Sequence, residues 1–202
     1  MKTMKKEFYL LDNKEDRTMV ELLLDAYSAL DNVKRILRCA NIEAAVQIGG
    51  SLSLKVQLQD VSSHFANRIV GDIDIIVLFR EDPVELFVDN YNRAKGIIES
   101  IESLVPIKDK MHSPSPAMKG ANRRMRRSFH LGKTKHGYPI NVLFNAVSDK
   151  EIDNAVGDFN DVKMTLAAKW DYCISNIAKG EMPREKDVKD IHELVKLGYK
   201  KY

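Results

Sequence analysis

Asp72 and Asp74 stand two residues apart at the mouth of an unbroken apolar run, Ile75-Ile76-Val77-Leu78-Phe79. A short run this rich in β-branched and aromatic residues reads as a buried strand. Side chains alternate along a strand, so the two carboxylates share one face about 6–7 Å apart, and Ile73 turns to the other. Two acids so placed repel each other and resist desolvation. A divalent cation removes both penalties. Mg²⁺ suits the pair, because it takes one or two carboxylates and fills its other positions with water and phosphate oxygens; Mn²⁺ shares that preference. The bland alternative is a solvated strand end carrying two ordinary acids.

Another chemical signal lies upstream. Ala44-Ala45-Val46-Gln47-Ile48 reads as a strand ending at Gly49-Gly50, and Ser51-Leu52-Ser53-Leu54-Lys55-Val56 as the start of a helix that Ser51 can cap. A glycine pair lets backbone approach a ligand with no Cβ in the way. The N–H groups of the following helix start favour an anion, and the Ser51 hydroxyl can add a contact to phosphate. Alone, Gly49-Gly50-Ser51 is equally a plain tight turn. In this order and at this separation, the two signals describe a site for a metal–triphosphate.

The elements that must position these residues can be read from periodicity. Met19, Leu22, Leu23, Ala26, Leu30, Val33 and Leu37 predict an amphipathic helix over Glu15–Cys39. Residues 57–67 read as a polar connection, in which His64 is a solvated loop histidine. Pro83 begins a further helix reaching about Leu104. Residues 108–127, with two Ser-Pro steps and Arg123-Arg124-Met125-Arg126-Arg127, read as a cationic segment suited to phosphate. Residues 128–147 predict a hairpin turning at Lys135-His136-Gly137. Its returning strand presents Asn141 and Asn145 on one face, with no acid before Asp149.

Near the C-terminus, residues 159–177 predict a helix with Lys169 at the border of its apolar stripe, where it can snorkel or reach into a site. Gly180 and Pro183 break the chain. The next helix carries Arg184-Glu185-Lys186-Asp187-Val188-Lys189-Asp190, with Asp187 and Asp190 on one face. Those acids could simply favour the first turn.

Strand, Gly-Gly-Ser, helix, loop and strand with Asp-x-Asp resembles the nucleotidyltransferase superfamily, and within it the AbiEii/AbiGii-type toxins of toxin–antitoxin and phage-defence pairs. The glycine motif of that family has the form Gly-Gly-Ser/Thr-x-Leu. Its acidic motif has the form Arg-x-x-x-Asp-Ile-Asp, matched here by Arg68 four residues before Asp72. A lysine on one helix followed by Arg-x-Lys/Arg-Asp-x-x-Asp on the next matches Lys169, Arg184, Asp187 and Asp190. The resemblance runs from the middle of the first helix to near the C-terminus. It implies that Asp72 and Asp74 hold Mg²⁺ (or Mn²⁺). It implies that Gly49, Gly50, Ser51, Arg68, Lys169 and Arg184 contact a nucleoside triphosphate, and that Lys169 with Asp187 or Asp190 takes part in catalysis. The superfamily usually adds a third strand carboxylate where this chain has Asn141 and Asn145; AbiEii-type proteins often lack it too. The implied reaction moves a nucleoside monophosphate to an acceptor hydroxyl, with RNA, and the transfer-RNA 3′ end in particular, as acceptor and a cognate antitoxin as partner. A binder without chemistry and an interaction protein are the rival readings.

The chain has 202 residues, 44% hydrophobic and 30% charged, with a net charge of +3, which makes bulk charge a weak guide to nucleic acid. Cys39 and Cys173 give no disulfide framework. No apolar run approaches transmembrane length and no signal-peptide core opens the chain, so the expectation is a cytoplasmic protein with no membrane partner. The expected fold is α/β (α+β): a small mixed sheet flanked by helices over residues 1–150, nucleotidyltransferase-like, with residues 151–202 as a C-terminal helical region packing on it.

Overall fold

A computed structural model describes residues 14–39, 41–80, 126–147 and 152–200. The expected helix from Pro83 to Leu104, most of the arginine-rich segment and Asp149 lie outside the described residues.

The amphipathic pattern of the first segment folds as α1, Lys14–Cys39. Its stripe of Leu22, Ala26, Leu30, Val33 and Leu37 is buried against Ile73, Ile75, Val77, Val142 and Phe144, which form one face of a sheet. Each large apolar side chain so buried contributes about 1.5–3 kcal/mol. His136 Nδ1, in a hairpin turn, lies 3.0 Å from Asp25 Oδ2 and ties α1 to the far end of the sheet.

The sheet has four strands: β1 (Ala45–Ile48), β2 (Ile73–Arg80), β3 (Arg126–Lys133) and β4 (Pro139–Val147), in the order β1-β2-β4-β3. β1 runs antiparallel to β2, β2 parallel to β4, and β3 antiparallel to β4, so the sheet is mixed. The predicted hairpin is β3–β4, closed where Thr134 N donates to Tyr138 O at 2.8 Å. The face opposite α1 carries Ile76, Leu78 and Val147, packed against Leu143, Ile152 and Met164. Strand alternation puts Asp72 and Asp74 on this face, in line with Ile76 and Leu78.

The connection read as polar is partly helical. After β1, α2 runs over Gly50–Leu58, and a short α3 follows at Ser63–Ala66. The reason is Phe65, wholly buried with Leu54, Leu58, Val162, Leu166 and Leu194. That cluster joins α2 and α3 to α4 (Val162–Ala178) and α5 (Glu185–Lys196). The helix expected from Phe159 starts three residues later, at Val162, with Asp161 accepting from Lys163 N at 2.6 Å. Residues 158–160 instead lie beside β1. Ile48 N donates to Asp158 O at 2.6 Å and Asn160 N to Ile48 O at 2.8 Å. Ser53 Oγ donates to Asn160 O at 3.0 Å. The fold is thus α+β, a mixed sheet flanked by helices, with a C-terminal helical part seated on α2 and α3. No helix among the described residues is long and apolar enough to cross a membrane.

Candidate active site

The antiparallel register that pairs Ile48 with Ile75 carries Gly49 to Asp74, and Gly49 N donates to Asp74 O at 2.8 Å. Gly50 then turns into α2 at φ +61°, in the left-handed region. A Cβ on Gly50 would sit 2.0 Å from Asp74 Oδ2, and one on Gly49 would sit 2.4 Å from Ile76 Cγ1. Both glycines are therefore required by the close approach of the α2 start to β2. The first N–H groups of a helix have no intrahelical acceptor and carry a positive partial charge. Asp74 lies directly against that end.

On its other side β2 is in register with β4, and Asp74 faces Asn141. Asn141 Nδ2 donates to Asp72 Oδ2 at 3.1 Å and to Asp74 Oδ1 at 3.2 Å. Burial foremost, and then the neighbouring Asp72 charge, push the Asp74 carboxyl up to about 6; the Asn141 hydrogen bond and the charges of Lys169 and Lys186 oppose this. Asn141 occupies the strand position beside the two acids. It spans them as a neutral donor.

The cations come from three other elements. Arg68 follows α3 and pairs through Nη1 with Asp190 Oδ1, while its Nη2 donates to Ser51 Oγ at 3.1 Å. Lys55 Nζ, donating to Arg68 O at 3.0 Å, fixes the backbone there. Lys169 Nζ on α4 lies 2.6 Å from Asp187 Oδ1 and 3.0 Å from Asp190 Oδ2. Arg184 Nε donates to Asp187 Oδ2 at 2.6 Å, and its guanidinium stacks 4.7 Å over the Tyr172 ring. Asp187 and Asp190 have no solvent exposure. Burial alone would raise the Asp187 carboxyl, but the hydrogen bond and charge of Lys169, with Arg184, more than offset it and hold the group below the usual carboxylate range. Arg68, Lys169 and Arg184 bring three positive charges to these two acids. The positive excess is felt at Asp74, through Lys169.

Part of this set opens onto a cleft of about 900 Å³ lined by Ser51, His64, Arg68, Asp72, Asn141 and Lys186, among others; Asp74 and Lys169 are not in its lining. Its size matches ordinary small-ligand sites. Among the described residues no three His, Cys, Asp or Glu side chains gather as a ligand set. The oxygen ligands on offer are the Asp72–Asp74 pair. They fit Mg²⁺, which needs no more than two protein carboxylates when phosphate and water complete its shell. The raised Asp74 carboxyl records burial first and the Asp72 charge second, and such a cation would offset both.

Of the residues singled out in the sequence, Gly49, Gly50, Ser51, Arg68, Asp72, Asp74 and Lys169 converge on this region. Ser51 does not cap α2: Gly49 holds the N-cap position, and the Ser51 hydroxyl is engaged by Arg68. Asp187 and Asp190 lie behind Lys169, positioning it. Arg184 is half exposed and bound to Asp187 and Tyr172, away from the cleft lining. Among the cleft residues that sequence reasoning misses are His64 and Lys186. His64 is no solvated loop side chain: its Nε2 lies 2.8 Å from Asp190 Oδ1, on the same carboxylate oxygen as Arg68. The available signal is its place four residues before Arg68, beside an apolar Phe65 in an otherwise polar stretch. Lys186 lines the cleft and acts on Asp74, and its signal is the basic position inside the Arg184–Asp190 motif.

No family model matches this chain, and no curated protein matches it. Among solved structures, a crystal structure of JHP933 from Helicobacter pylori aligns at 15% identity with a TM-score of 0.37, over 87% of this chain and 67% of that one.

Proposed function

We propose that this chain is a Mg²⁺-dependent nucleotidyltransferase that moves a nucleoside monophosphate from a nucleoside triphosphate to an acceptor hydroxyl. One observation carries the reading: Asp74 meets the glycine-led start of α2, Asp72 beside it lines a cleft together with Arg68 and Lys186, and the charges of Lys169 and Lys186 act on Asp74. When bound, Mg²⁺ neutralises the paired carboxylates and the phosphates they face. Asp72 and Asp74 hold it. The N–H groups of α2 and the Ser51 hydroxyl bind phosphate oxygen; because Ser51 Oγ accepts from Arg68, its own proton is free to donate. Lys169, kept extended by Asp187 and Asp190, and Lys186 offset charge on the leaving group. The acceptor oxygen bonds to the α-phosphorus as the bond from that phosphorus to its bridging oxygen breaks. The electron pair leaves with pyrophosphate. The acceptor proton goes to water, since Asn141 stands where a carboxylate would take it and an amide cannot. Most of the acceleration then rests on positioning and electrostatics.

The resemblance to AbiEii-type toxins supports RNA as the acceptor, the transfer-RNA 3′ end first, in a cytoplasmic toxin–antitoxin or phage-defence role with a cognate antitoxin. The test is incubation of the protein with each α-labelled triphosphate, Mg²⁺ and total RNA. Labelled RNA is expected from the wild type and none from Asp72→Ala with its circular dichroism intact; undiminished label in that variant refutes the proposal. Asn141 favours one alternative reading, a nucleotide binder without chemistry. That reading expects Mg²⁺-dependent heat of nucleotide binding with no pyrophosphate released.

A further inference from the structure

α5 has two working faces. Asp187, Asp190 and Leu194 point inward, the acids fully buried beneath Lys169 and Arg68. Lys186, Lys189, Glu193 and Lys196 line the cleft instead. Their spacing of three, four and three residues keeps them on one side of the helix. The ladder from Lys186 to Lys196 covers ten residues, or about 15 Å at 1.5 Å per residue. That is longer than a triphosphate, whose phosphorus atoms are joined through single bridging oxygens. Lys186 is the rung felt by Asp74. Lys189 and Lys196 continue away from it.

The acid that α5 contributes to the cleft lining is already committed. Glu193 Oε1 accepts from Ser62 Oγ at 2.8 Å, fastening α5 to the start of α3, and its Oε2 lies 3.6 Å from Lys196 Nζ. Lys189 Nζ pairs with Glu185 Oε1 at 2.7 Å, both side chains being largely exposed, so a phosphate can displace that partner at little cost. Counting Glu185, the three lysines face two glutamates, both already paired within the helix, along a cleft that Asp72 also lines.

We infer that the Lys189–Lys196 segment of α5 is the track on which a single-stranded polynucleotide lies, its end delivered to the Asp72–Asp74 edge of the cleft. Phosphates of a stacked strand recur about every 3.4 Å, so the Lys189–Lys196 stretch, about 10 Å long, spans roughly three of them. Lys186 serves the triphosphate, and Lys189 and Lys196 serve the acceptor. The inference rests on the nucleotidyltransferase reading and gives its acceptor a place.

The full chain carrying Lys189→Gln and Lys196→Gln separates the two claims. Both lysines are solvent-facing, so the substitutions leave the core intact. Binding of a short labelled single-stranded RNA is measured by anisotropy against salt, and binding of Mg²⁺–triphosphate by titration calorimetry. Each phosphate contact on a single strand contributes about 0.7 to the slope of log affinity against log salt, so the double variant should lose about 1.4 of that slope. Its triphosphate affinity should stay within about twofold, since neither contact is to triphosphate. An unchanged RNA slope with triphosphate binding intact overturns the track and leaves the nucleotidyltransferase reading standing. Wild-type protein that binds neither probe overturns both. Lysine-dependent binding to poly-glutamate with none to RNA overturns the track in favour of an acidic protein partner.

Discussion

Asp74→Asn should make the cation-free protein more stable at neutral pH while abolishing its response to Mg²⁺. The Asp74 carboxyl is pushed from 3.8 to about 6 by burial first and by Asp72 after it. A raised carboxyl means that the native state holds the proton more tightly than the unfolded chain does. Stability from this group is therefore full below pH 3.8, falls as pH rises to about 6, and is gone at pH 7. About two pH units at 1.36 kcal/mol each amount to about 3 kcal/mol set against the fold at neutrality. Asparagine removes the charge and keeps an oxygen to accept from Asn141 Nδ2. For a chain of this size each kcal/mol moves the melting temperature about 2–4 °C, so the variant should melt up to about 10 °C higher in EDTA at about pH 7.5. At about pH 3.5, below the unfolded carboxyl's range, the two proteins should melt together. Added Mg²⁺ should raise the wild type at neutral pH and leave the variant unmoved. Asp72→Asn should recover a smaller part, because it removes only the lesser cause. Scanning calorimetry at both pH values, with and without Mg²⁺, reads all of this. A variant no more stable than wild type at neutral pH in EDTA would refute the claim that the pair is held under electrostatic strain.

Two other substitutions probe the frame around the pair. Gly50→Ala should cost at least about 1–2 kcal/mol for an alanine at φ +61° and displace the Asp74 carboxylate, which stands 2.0 Å from the new Cβ; urea unfolding should show the loss and nucleotide transfer should fall with it, whereas full activity would mean that α2 can retreat. Lys169→Met should destabilise by about 3–5 kcal/mol at neutral pH, because it leaves Asp187 and Asp190 buried and short of a partner. Asp187 has a lowered carboxyl, so its stabilisation exists above pH 3.8 and is lost as pH falls through the folded value; the variant's deficit should therefore shrink as pH falls below 3.8, and a deficit that is the same in acid as at neutrality would contradict the ion-pair assignment.

The carboxylates and glycines are legible in the sequence because strand alternation and an antiparallel register are local rules. Once Ile48 pairs with Ile75, Gly49 and Gly50 have nowhere to go but Asp74. The link from Lys169 to Asp187 and Asp190 is legible as a spacing but not as a geometry, since nothing in either helix says which face turns inward. Leu194 and Leu166 decide that, by burying with Phe65. The same cluster converts a polar stretch into α3 and so delivers His64 and Arg68 to one carboxylate oxygen. Ser51 reads as a cap because a lone helix start offers no better partner; Arg68, seventeen residues on, outcompetes the backbone. Residues 159–160 read as helix because no sequence signal says that Ile48 leaves its outer edge open.

The docking of α4 and α5 on Leu54, Leu58 and Phe65 has a temporal meaning. Asp72 and Asp74 leave the ribosome nearly a hundred residues ahead of Lys169, and Asp187 and Asp190 emerge later still. A growing chain thus carries Arg68, Asp72 and Asp74 long before Lys169 and Lys186. Only when the last helices emerge and pack on Leu54, Leu58 and Phe65 do Lys169 and Lys186 come to act on Asp74, so a product cut short before them keeps the carboxylate pair without those two charges.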